Sequence, residues 1–104
     1  MAKLISIYWR DIPAQVIGRA GRRISIKKEL DGRFAKAIDR AAMRAGRGSS
    51  DAYLEDWRRV SEDVDGDLAE LVDERVAELE QQFDDETLER TVKAGGLISE
   101  EGSA

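Results

Sequence analysis

The residue types best suited to chemistry fall in two places. Tyr8-Trp9-Arg10-Asp11, with Pro13 two positions on, sets two aromatic rings beside a guanidinium and a carboxylate, and Trp57-Arg58-Arg59 repeats the indole-guanidinium pairing. Such a set suits recognition better than bond making: an indole offers a flat apolar face, and arginine a planar fork of donors. The plainer reading makes Trp9 the end of a core strand and Arg10-Asp11 an ion pair at a turn. Catalysis has little to draw on. Neither histidine nor cysteine occurs, so the usual neutral-pH proton carrier and the soft metal ligands are missing. An enzyme would have to rely on carboxylates, Lys, Tyr or Ser. No catalytic residue, cofactor site or metal site is assigned. Asp63-Val-Asp-Gly-Asp67 misses the calcium-loop spacing, because its glycine falls fourth rather than sixth. Turn formation and helix capping account for it.

A second cluster, Arg19, Arg22, Arg23, Lys27 and Lys28, is basic. Cations gathered on a hairpin bind phosphate backbones or acidic protein surfaces. They also protect a sheet edge from aggregation, which is the simpler explanation. Residues 1–59 carry 14 Lys/Arg against 7 Asp/Glu, and residues 60–104 carry 3 against 15. The acidic half is expected to fold against the basic half and neutralise it in part, with the remainder available to partners.

The elements that must position these groups follow from periodicity. Ile5, Ile7 and Trp9 alternate with Ser6 and Tyr8, a strand over 3–9 with those three inward. Pro13 then stiffens a corner. Short strands over 14–17 and 23–27 form a hairpin through 18–22, with Ile24 and Ile26 inward; Gly18 and Gly21 argue against a helix there. Residues 32–45 read as a helix capped by Asp31, with Phe34, Ile38, Ala41, Ala42 and Ala45 along one stripe. Residues 46–50 are a flexible loop. A strand is expected over 53–60, with room for a helical turn at 51–55, followed by an acidic connection from Ser61 to Gly66. A helix from Asp67 to Phe83 is expected with Asp65 as its cap, then a short helix from Asp84 or Asp85, closed by Gly95-Gly96. The order β-β-β-α-β-α-α gives an α+β two-layer sandwich: a mainly antiparallel sheet with helices on one face. Residues 1–96 are read as a single domain and 97–104 as a frayed tail. No apolar run approaches the ~20 residues of a membrane span. The N-terminus lacks signal-peptide features, so a cytoplasmic location is expected.

Residues 8–16, Ala37-Ile38-Asp39-Arg40-Ala41-Ala42 and Tyr53 to Arg59 together resemble a small bacterial family labelled "virulence factor". They are similar to the C-terminal module of conserved virulence factor C, over most of 3–96. The label is phenotypic and attaches no catalytic residues. The resemblance implies an accessory subunit or scaffold beside corrinoid- and tetrahydrofolate-dependent methyl-transfer enzymes.

The expected function is a non-catalytic interaction or accessory module that docks another protein through Tyr8, Trp9, Arg10, Asp11 and Pro13 with Trp57, Arg58 and Arg59. Two alternatives stay open: a binder of pterin- or nucleotide-like small molecules, and a weak nucleic-acid binder acting through the basic hairpin. Self-association is left open as well.

Overall fold

A computed structural model describes residues 2–46 and 50–97. The loop expected over 46–50 and the tail expected over 97–104 fall, apart from Gly46, Ser50 and Leu97, outside that range. Four strands, β1 (Ala2–Trp9), β2 (Ile12–Ala20), β3 (Ile24–Glu29) and β4 (Trp57–Val64), form one antiparallel sheet in the order β3-β2-β1-β4. Around it stand helices α1 (Gly32–Arg44), α2 (Ser50–Glu55), α3 (Leu68–Gln82) and α4 (Asp85–Lys93). The expected α+β architecture is present, with the short α2 placed before the fourth strand. No helix is long and apolar enough to cross a membrane, among the described residues.

Helices α1, α3 and α4 each start where a carboxylate satisfies the first free N–H groups. Asp31 accepts from Arg33 N at 3.2 Å, and Asp84 accepts from Thr87 N at 2.8 Å. That second bond holds the Asp84 carboxyl below its ordinary range. The third helix is capped by Asp67, which accepts from Ala69 N and Glu70 N, and not by Asp65. The reason is upstream: Val64 still pairs with Ala2, and Gly66 turns the chain with φ at +125°. Asp67 is the next acid able to cap.

The strands run longer than their apolar stretches. β4 continues through Ser61, Glu62 and Asp63, where an acidic connection was expected, because β1 supplies an unbroken ladder from Trp9↔Trp57 to Ala2↔Val64. Pairing outweighs intrinsic propensity there. β2 spans Gly18, which admits no side chain: a Cβ would sit 2.8 Å from Leu68 and Val72. Glycine lets α3 lie close against the sheet. The hairpin turn is displaced to Gly21-Arg22-Arg23, and Ile24, expected inward, is 53% exposed.

The inward set of β1 differs in part from expectation: Ile5 and Trp9 are buried as expected, but Ile7 is only half-buried, and the side towards α3 carries Leu4. Gly18 and its neighbour Leu4 lie towards α3, and Leu4 and Val16 join Phe34, Ile38, Val72 and Val76 in one buried cluster. Each such side chain contributes roughly 1.5–3 kcal/mol. Strand alternation therefore turns Ile5, Ile7 and Ile17 to the opposite side, and none of them belongs to that cluster. Ion pairs Lys28–Asp73 at 3.0 Å and Arg75–Glu62 at 2.7 Å tie the sheet to α3, and a two-bond Arg40–Glu89 contact ties α1 to α4; the first and the last of these link the basic and acidic halves of the chain.

Candidate functional site

The Trp9–Pro13 corner is built into the fold. Arg10 and Asp11 are the two loop residues between Trp9 and Ile12. Arg10 takes φ 56°, alone among the described non-glycine residues in the left-handed region. That conformation costs about 1–3 kcal/mol outside glycine, and the surroundings hold it in place. Arg10 N donates to Asp56 O at 2.9 Å, and Asp11 N to Gly96 O at 2.8 Å. The Arg10 guanidinium donates to Asp56 Oδ2 at 3.1 Å and to Gly95 O at 3.0 Å. Three distant segments meet at one turn.

Trp9 lies beneath it at 0% exposure. Its Nε1 donates to Tyr53 O at 2.9 Å, its ring stacks on Tyr53 with centroids 5.9 Å apart, and a Cβ on Gly96 would come within 2.7 Å of it. Pro13 is likewise buried. It stands at the bulge where the β1–β2 register shifts and past the last residue of the β3 ladder, where its missing donor does least harm. Trp9 and Pro13, expected on a contact surface, are corrected to core positions. Tyr8 is half-buried beneath the Arg58 guanidinium, 4.5 Å from its ring, and Arg58 also donates to Arg10 O and to Asp11. Tyr8, Arg10 and Asp11 are thus occupied with fixing the corner.

The other set opens outward. Trp57, Arg58 and Arg59 line a shallow groove of about 490 Å³ on the helix-free side of the sheet, with Arg19 across from them and Ile7, Ile17 and Gln15 as its floor. Trp57 packs edge-on against Tyr53 at 5.7 Å, which links the groove wall to the buried Trp9. Partial burial raises the Tyr53 hydroxyl above its ordinary pKa, with Asp39 adding to the effect. Arg19 and Arg59 are exposed and have no ion-pair partner among the described residues. Unpaired guanidinium groups above an isoleucine floor provide donors for carboxylates next to apolar area.

The five hairpin cations do not form one patch. Arg19 joins the groove, and Lys27 pairs in register with Ile17 on the same side. Lys28 turns to the helices and Asp73, while Arg22 and Arg23 sit exposed at the turn. Sequence reasoning missed Ile7, Gln15 and Ile17 as site residues. Their signal was the alternation itself, assigned to the wrong side of the sheet. Of the carboxylates weighed as a calcium loop, Asp63 pairs with Lys3 at 3.2 Å and Asp67 caps α3. No group of three or more acids among the described residues could hold a metal ion.

Comparison with family models matches residues 7–92 to the family described as "Virulence factor". No curated protein and no solved structure matches the chain.

Proposed function

The chain belongs to the "Virulence factor" family, and from that premise we propose that it is a non-catalytic interaction module which docks another protein on the helix-free face of its sheet. One observation carries the reading. Ile7 and Ile17, both only half-buried, lie on the face turned away from α3 and floor a groove there, with Ile5 buried between them. Apolar area rimmed by charge is the usual signature of an interaction surface. Arg19 and Arg59, without an ion-pair partner among the described residues, favour a partner that presents carboxylates around an apolar centre. Trp57 at the groove wall supplies the aromatic anchor such interfaces concentrate their energy on. The groove is broad and shallow, which suits a protein surface better than a small molecule.

The test is recovery of partners on immobilised protein, wild type against an Arg19→Glu/Arg59→Glu double variant, with bound proteins identified by mass spectrometry. Both side chains are exposed, so the variant keeps its fold. We expect recovery to fall at least about tenfold. One-carbon methyl-transfer enzymes, the partners the family resemblance implies, are the first to try. Equal recovery by the folded variant removes the groove from the reading.

A further inference from the structure

β4 is the outer strand on one side of the sheet, and β1 is the one element with which it makes extensive contact. Its free edge runs for eight residues without proline, and its register against β1 is unbroken. Such an edge offers a row of backbone donors and acceptors that natural sheets normally shield. The opposite edge, β3, is six residues long with Lys27 and Lys28 adjacent, so pairing with its own copy crowds like charges together.

The charges of β4 run the other way. Arg58 and Arg59 stand in its first half, Glu62 and Asp63 in its second. Antiparallel pairing with a second copy about a two-fold axis at Val60 sets Val60 against itself and Arg58 against Glu62 of the second copy. It also brings Arg59 diagonally to Asp63 of that copy. Parallel pairing would set like against like. The atoms left over agree with the antiparallel register. Among the described residues, Arg58 uses Nε and Nη2 within its own chain and has Nη1 to spare, and Glu62 gives Oε1 to Arg75 and has Oε2 to spare. Val60 is 43% exposed despite being apolar.

We infer that β4 pairs with β4 of a second copy of this chain, joining two four-stranded sheets into one of eight with both helix-free faces on the same side. This association is independent of the groove's partner, although it places two grooves side by side.

Sedimentation equilibrium of the full chain from about 1 to about 300 μM reads the association directly. A concentration-dependent dimer is expected, weakened about tenfold or more by Val60→Lys, which opposes two cations on the axis, and retained by Val60→Thr. Since the chain has no cysteine of its own, mild oxidation should link Val60→Cys into a disulfide dimer and leave Ile24→Cys, on the other edge, monomeric. A monomer at every concentration overturns the inference, as does a dimer indifferent to Val60→Lys. Ile24→Cys cross-linking as readily as Val60→Cys overturns it too.

Discussion

Trp9 and Trp57 stand directly opposite each other on neighbouring strands, and each is followed by an arginine. Their circumstances differ completely. Trp9 is sealed under Tyr53 and Gly96, with the Arg10 guanidinium 5.3 Å from its ring and committed to Asp56 and Gly95. Trp57 stays half-exposed; Arg58, which follows it, is tied to Arg10 O and Asp11, while Arg59, one residue further on, meets no opposite charge among the described residues. The same two residue types therefore serve architecture at one position and leave recognition chemistry available at the other. The difference arises from what arrives above them. Segments around residues 53–56 and 95–96 close over the first pair, whereas Trp57 is covered on one side only, by Tyr53.

Substitution should separate the two pairs sharply. Trp9→Ala should cost about 3–5 kcal/mol in urea unfolding, whereas Trp57→Ala should cost roughly 1 kcal/mol and act mainly on partner recovery. Similar stability losses for the two would abolish the distinction between them. Gly96→Ala comes next. It drives a methyl into the Trp9 ring at 2.7 Å and holds an L-residue at φ +95°, so a loss of about 2–4 kcal/mol is expected from overpacking and backbone strain together. A neutral result would mean the turn can move aside.

Arginine gives a smaller contrast. Arg10→Ala deletes two charge-assisted bonds while keeping a non-glycine residue at positive φ, and should lower stability by about 1–3 kcal/mol. Arg59→Ala should change it by less than about 0.5 kcal/mol. The smallest effect concerns alkaline pH. The Tyr53 hydroxyl is raised in the folded state, first by partial burial and then by Asp39. The neutral form is favoured on folding, so this contribution is intact below the ordinary value of about 10 and declines as pH rises past it. Tyr53→Phe should flatten that decline in thermal melts taken between about pH 9 and 11. A decline as steep as in wild type would assign it elsewhere.

Local chemistry made the helices readable in the sequence. Asp31 and Asp84 cap where short polar side chains precede apolar periodicity, and the stripe Phe34–Ile38–Ala41–Ala42 is the one that is buried. Asp65 misled because helix onset there depends on where β4 releases the chain. The strand β4 itself was half hidden, since nothing in Ser61-Glu62-Asp63 favours extension except the partner β1. Alternation in β1 identified a strand correctly but could not say which side the helices take, and that choice is fixed by Gly18, a residue notable for what it lacks. For the candidate site, Trp57, Arg58, Arg59 and Arg19 were named from residue type, yet their meeting depends on strand order. Trp9 was rightly read inward from the alternation but wrongly counted in the docking surface, because its cover lies 44 residues away at Tyr53 and further still at Gly96.

The tie between Arg10 and Gly95, 85 residues apart, has a consequence for how the chain is made. During synthesis the opening hairpin emerges early, but the lid over its indole comes only with residues 95–96. Until then the nascent polypeptide presents a tryptophan covered by Tyr53 alone and an incomplete turn, the kind of species chaperones retain. Contacts of such long range slow the final step, so ribosome-bound chains halted before residue 95 should remain protease-sensitive at the first hairpin, while those extended past residue 97 and clear of the exit tunnel should not.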